Sequence, residues 1–420
     1  MTDGAATSKR TLLAYGLGKV IPGLLLFLAV PLWTRTFGAE QYGFYSIAWS
    51  IALFSSSLFT GWLRQALLRH SGNDAATLQS LPRWTIPAAS VLSSAPVVLL
   101  VLLQLDRVEN GTLFVVAAGV FAVLNSTYAV YQASAQRAGR SFTYTLAEVL
   151  RVGGAVVISL LLGAANVTEG AICIILGFCV STLASLLVLE RTRFSRHAVE
   201  AVLEAVPRDE ATLSKFWGYG WPMAIWLAAS SLLLYQDRVI ISSVLGASAA
   251  GEYAAVADVI VRGFAMVSFP LTMVSHPIIM AAWNRGEPSV ALATNRTFKK
   301  YLIWISVAIF LAGSFFGRSV LELVLGIDIE STFLVPLLLA GAALWQVGLM
   351  THKELEMEDR TKLMAALIVI IAVGSAVTNL LTAGWLGLTG PAAVFATGAG
   401  IYALSTYVLG ARLRRKSSHV

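Results

Sequence analysis

Seven ionisable side chains interrupt otherwise apolar stretches of this chain: Lys19, Glu148, Arg151, Asp237, Arg238, Asp258 and Arg262. A charge carried into hydrocarbon costs on the order of 3 kcal/mol even on permissive insertion scales, so such a group needs a partner or a wet cavity. Asp258 and Arg262 are four residues apart and share one helix face, either as a packing pair or as part of a polar lining. Asp237 and Arg238 lie near the end of their stretch, where they either reach the interface or line a cavity. Lys19, in register with Gly16 and Gly23, lies about 12 Å inside its helix and either snorkels out or faces a cavity. Glu148 and Arg151, one turn apart, read as an interfacial pair. Asn125, Tyr128 and Gln132 form a stripe suited to interhelical hydrogen bonding or ligand contact. His276, before Pro277, is read as a packed ring, with proton coupling as the alternative. Four cations against three carboxylates leave this interior set at +1, which suits an anion.

These groups need elements to hold them, and composition names the elements. The 420 residues are 57% hydrophobic and only 13% charged, against roughly 25% charged in soluble domains. So few charges cannot coat a globule of this size in water. The formal net charge of +7 is not arranged as a nucleic-acid surface, because no basic patch is interleaved with aromatics. The two cysteines, Cys173 and Cys179, share one apolar run and build neither a disulfide framework nor a metal-spacing motif. No metal or other cofactor is expected, although an H+ or Na+ gradient or the membrane potential could drive the protein.

Twelve stretches are long and apolar enough to span a bilayer, which takes about 20 residues each. They are 11–33, 43–63, 85–103, 112–133, 146–163, 170–189, 217–243, 253–279, 301–316, 332–350, 363–381 and 389–411, the ninth being the shortest. The first exceeds the ~7–15-residue core of a signal peptide and lacks a cleavage site, so it reads as a retained span. With the N-terminus inside, alternation leaves 23 basic residues in inner segments and three, Arg35, Arg107 and Arg318, in outer ones. Basic residues resist translocation, and a missed span would scramble every later loop. The chain is therefore expected to be an all-α integral membrane protein of a cell membrane, with about 12 transmembrane helices and both termini cytoplasmic.

The halves repeat. Gly38-Ala39-x3-Gly43-x-Tyr45 and Gly246-Ala247-x3-Gly251-x-Tyr253 follow the first span of each half at a constant offset of 208. Six spans per half make the repeats parallel. The glycines suit a tight outer turn and the tyrosines anchoring at headgroup level. Expected domains are a six-helix lobe over 1–190, a cytoplasmic linker over 191–216 and a second lobe over 217–420, the two lobes lying around a central cavity. Val199, Val202, Leu203 and Val206 give the linker an amphipathic face that Pro207 ends. Span two carries a hydroxyl stripe, Ser46, Ser50, Ser57 and Thr60, then Arg64. The outer loops are short. The longest, 317–331, holds Arg318, Glu322, Asp328 and Glu330 with no recognisable active-site arrangement. That argues against a polytopic glycan polymerase or ligase.

The run from Pro31 to Ala48 (PLWTRTFGAEQYGFYSIA), the segment from Asp237 to Gly246 (DRVIISSVLG) continuing to Gly251-Glu252-Tyr253, and the segment from His276 to Gly286 (HPIIMAAWNRG) resemble matching segments of polysaccharide flippases. Ala66-Leu67-Leu68-Arg69 resembles the first-half counterpart of the last. Those flippases belong to the multidrug/oligosaccharidyl-lipid/polysaccharide exporter superfamily. The resemblance implies translocation of a lipid-diphosphate-linked oligosaccharide by alternating access, for surface polysaccharides such as O-antigen, beside other polysaccharide assembly proteins. On that basis Lys19, Arg238 and Arg262, with Asn125 and Gln132, are the expected substrate contacts. Asp237 and Asp258 are the expected counter-charge or ion-coupling groups. A small-molecule exporter of the same superfamily is the alternative.

Overall fold

The computed structural model describes residues 2–69, 81–102, 108, 110–193 and 210–417; for 2–19, 69, 192–193, 210–212, 215, 219 and 413–417 it describes the backbone alone. Fourteen α-helices and no strand occur among the described residues. Hydrocarbon offers the backbone no hydrogen-bond partner, so long apolar runs close their own bonds as helices.

In chain order the helices are α1 (Thr2–Phe59), α2 (Gly61–Arg69), α3 (Thr85–Leu92), α4 (Ser94–Leu102), α5 (Gly111–Arg137), α6 (Ser141–Ala164), α7 (Gly170–Arg193), α8 (Glu210–Leu245), α9 (Ala247–Asn284), α10 (Pro288–Leu325), α11 (Leu334–Thr351), α12 (Lys353–Met357), α13 (Thr361–Leu386) and α14 (Thr389–Ser417). Among the described residues, eleven apolar helical segments are long enough to cross a membrane. The first of these, Val20–Phe59, has 40 residues, about 60 Å of helix and twice a bilayer's hydrocarbon thickness. It breaks at Gly38, where φ is 84° and ψ 163°, so its length suits two crossings, which makes twelve among the described residues. Helices α3 and α4 together form the third span.

The ninth span departs most from expectation. Residues 301–316 are the middle of a helix running from Pro288 to Leu325, 38 residues long. Its apolar centre is short because Arg296, Lys299 and Lys300 precede it and Arg318 and Glu322 follow it on the same helix. Charge ends a hydropathy run without ending a helix. The stop signals lie farther out: Pro288 in the first turn and left-handed Gly326 as the C-cap.

Two compact units are built from the chain. The first comprises Met1–Ala29 and Phe44–Ser231, the second Val30–Gly43 and Leu232–Val420. In the first, Tyr45, Trp49, Phe121 and Phe178 form an aromatic core, with Trp49 and Phe178 ring centroids 4.7 Å apart. Helices α6 and α7 approach closely through small residues there. A β-carbon on Gly177 would lie 2.6 Å from the Ala155 carbonyl oxygen. In the second unit, α11 and α14 pack through Trp345 and Tyr402, and Gly341 leaves room for Phe395.

The repeated motif lies in the second unit over most of its length. Gly38 and Gly246 both have positive φ, 84° and 97°, as tight turns require. The second glycines do something else. A β-carbon on Gly43 would fall 2.5 Å from the Ala247 oxygen and 2.9 Å from the Gly251 nitrogen. One on Gly251 would collide with the Ala39 carbonyl. Ala39-x3-Gly43 and Ala247-x3-Gly251 thus pack against each other as a reciprocal small-residue seam. The motif's tyrosines are not headgroup anchors. Tyr45 is 1% and Tyr253 0% exposed; the first stacks on Phe178 and the second bonds a carboxylate. The amphipathic face expected at Val199, Val202, Leu203 and Val206 lies outside the described residues.

Candidate functional site

Asp258 is the centre of the second unit's polar network. It sits on α9, 3% exposed, and receives three donors. Arg238 on α8 donates to Oδ1 at 2.6 Å, Arg262 one turn along α9 donates to Oδ2 at 3.3 Å, and the Tyr42 hydroxyl donates to Oδ2 at 2.5 Å. Asp237 forms a second node: the Tyr253 hydroxyl donates to its Oδ2 at 2.6 Å, and its Oδ1 accepts the Arg238 backbone N–H at 2.9 Å. The Arg238 guanidinium lies over the Tyr235 ring, 4.7 Å from its centroid. Two carboxylates and two guanidiniums balance, which is how a membrane interior tolerates four charges.

The two arginines differ in access. Arg238's side chain is 2% exposed and Arg262's 18%. Arg238 therefore braces α8 to α9, whereas Arg262 is the more exposed of the two. Both Asp237 and Arg238 are buried within the second unit.

The first unit carries a network of similar chemistry. Arg151 donates to Glu148 through two nitrogens, at 2.7 and 3.3 Å. Tyr128 and Gln132, on α5, donate to Glu148 Oε2 at 2.6 and 2.7 Å. The guanidinium faces the Tyr128 ring at 4.9 Å, so charge pairing and a cation–π contact act together. Arg151 is 8% exposed. The pair is a buried interhelical node, because Tyr128 and Gln132 arrive from α5 to complete the carboxylate's shell. Asn125, on the same stripe, is buried.

Of the remaining expected groups, Lys19 lies on α1 but its side chain is outside the described residues. The hydroxyl stripe of span two is buried and partly satisfied by its own helix, with Ser50 bonding the Ser46 carbonyl and Thr60 that of Ser56. His276 Nδ1 is 3.1 Å from Lys353 Nζ, which also donates to Glu356 at 2.5 Å. Nearby, Lys299 and Glu354 are 3.5 Å apart. Sequence reasoning missed Tyr42 and the role of Tyr253. A buried tyrosine with a carboxylate within reach has a signal only once the pairing of helices is known. No group of three metal-ligating side chains occurs among the described residues.

The family model described as "Polysaccharide biosynthesis protein" matches residues 8–283. No curated protein matches by sequence. Among solved structures, the chain is similar to an inward-facing multidrug resistance MATE family transporter of the MOP superfamily, with a TM-score of 0.67, 15% identity, and coverage of 94% of this chain and 95% of the other. An outward-facing MATE family transporter of that superfamily gives a TM-score of 0.61 at 14% identity, covering 98% and 96%. A MOP superfamily transporter from Pyrococcus furiosus, described as having a binding pocket of reverse polarity, gives 0.62 at 15% identity, covering 97% and 95%. The chain thus has the fold of those transporters.

Proposed function

The chain belongs to the polysaccharide biosynthesis protein family, and from that premise we propose that it is a flippase of a cell membrane. Its cargo is a lipid-diphosphate-linked oligosaccharide, carried from the cytoplasmic to the outer leaflet by alternating access. The family match over residues 8–283 carries this reading. A diphosphate sugar cannot cross hydrocarbon uncovered, and a protein moving one needs cations inside the membrane.

In this reading Arg262 is the anion contact in the second unit, because it retains exposure while sharing Asp258 with Arg238. Lys19 is its counterpart from the first helix. Arg238 and Asp258 hold the geometry, and Asp237 with Asp258 are the groups a coupling cation would meet. Gln132 and Asn125 are second-rank contacts, Gln132 being bonded to Glu148.

The double variant Lys19→Gln, Arg262→Gln tests the assignment in a strain lacking the native copy. Surface glycan falls while the amount of protein in the membrane is unchanged. Full glycan export by the double variant removes these two residues from the path. Export of small cations or drugs, with no effect on lipid-linked glycan, would favour the small-molecule exporter that the fold also accommodates.

A further inference from the structure

The first unit has a cavity that the polar networks do not use. It encloses about 740 Å³ where the end of α1, the start of α3 and the start of α8 meet, a volume in the range of small-molecule sites. Trp62, Trp84 and Trp217 line it with Ala88 and Leu92, and its polar members are Thr85 and Ser214. Trp62 is buried and meets Trp217 edge to face at 5.2 Å, while Trp84 and Trp217 are 62% and 53% exposed. The floor is rigid: Trp62 packs with Leu63, Ala66, Phe216 and Ala224 in one core cluster. Thr85 is 3% exposed, and its hydroxyl has no hydrogen-bond partner among the described residues.

A basic residue borders this apolar wall: Arg83 is exposed and precedes Trp84. An amphiphile with hydrocarbon on one side and anionic oxygens on the other matches that juxtaposition. Tryptophan belongs where the two environments meet.

We infer that this groove holds the prenyl chain of the lipid-linked cargo next to its diphosphate, with the chain against the three tryptophans and the anion toward Arg83. The inference rests on the flippase reading and adds a tail site to it. Ring faces favour a polyprenyl chain over a saturated acyl chain for a general reason. Its trisubstituted alkenes present flat π-bonded segments and leave fewer free rotors per carbon, so immobilising it loses less conformational entropy.

The test uses the full chain in nanodiscs of neutral lipid. One probe is a polyprenyl diphosphate carrying a diazirine in its tail, and the other is phosphatidylglycerol with the same label. Irradiation with the prenyl probe should place adducts on peptides containing Trp84 and Trp217. Unlabelled prenyl diphosphate should displace them and phosphatidylglycerol should not. Ala88→Trp, which fills the groove, should cut this labelling about tenfold. Should that variant misfold, displacement on the unmodified protein decides alone. Equal labelling by phosphatidylglycerol makes the groove a general lipid contact and overturns the inference, as does an absence of groove adducts. A parallel translocation assay separates the two levels. Translocation without groove labelling defeats the tail site and leaves the flippase reading intact, whereas no translocation of lipid-linked oligosaccharide defeats the reading itself.

Discussion

Asp258 draws on two guanidiniums and a phenol at once, so its removal has a consequence that no single partner's removal shares. Asp258→Asn leaves Arg238, 1% exposed, with its charge buried and its main partner gone. Losing one member of a buried pair costs about 3–5 kcal/mol. Tyr253→Phe removes one hydrogen bond to Asp237 and should cost about 1–3 kcal/mol. Thermal melts of the purified variants should rank them in that order, with Arg262→Gln the mildest because its side chain is the less buried of the two arginines. The i, i+4 pairing of Asp258 with Arg262 was legible from spacing, since both stand on one helix face. Arg238, 20 positions from Asp258, and Tyr42, 216 positions away, were not. Periodicity reports neighbours on one helix and says nothing about which helix lies opposite.

Helices were legible wherever the apolar run and the helix end together. They diverged at α10, whose charged flanks remain helical, and at α1, where a single glycine marks the boundary between two spans. The repeated Gly-Ala-x3-Gly-x-Tyr motif was visible as a repeat, but only half of its meaning could be read from one chain. Positive φ at Gly38 and Gly246 follows from turn geometry. The backbone approach of Gly43 to Ala247 and Gly251 is a tertiary fact, and it is also why Tyr253 is enclosed. Gly43→Ala should therefore destabilise the protein by about 1–3 kcal/mol, the range for overpacking a filled seam. Gly374→Ala, at a helical position where an added β-carbon meets nothing within 4 Å, should stabilise it by about 0.5–1 kcal/mol. Denaturation in detergent distinguishes the two signs.

At the scale of the molecule, span count was more legible than hydropathy alone allows, because basic residues collect in alternate loops and tie every span to its neighbours. That same alternation assigns sides. With Cys173 and Cys179 buried, single cysteines report cleanly. Ala165→Cys should react with a membrane-impermeant maleimide in intact cells, and Asn284→Cys should react only after the cells are opened. The reverse pattern would invert the topology and place the basic loops outside. Cargo was the least legible property. The interior charges, four cations against three carboxylates, suit an anion, and sugar identity leaves no trace in a neutral hydrogen-bonding surface. The most direct measurement is leaflet-resolved movement of a labelled lipid-diphosphate-linked oligosaccharide in proteoliposomes containing only this chain. Label should become accessible on the opposite leaflet in the presence of the protein, and Lys19→Gln, Arg262→Gln should abolish the gain; label that stays on its original leaflet with intact, correctly inserted protein would overturn the flippase reading.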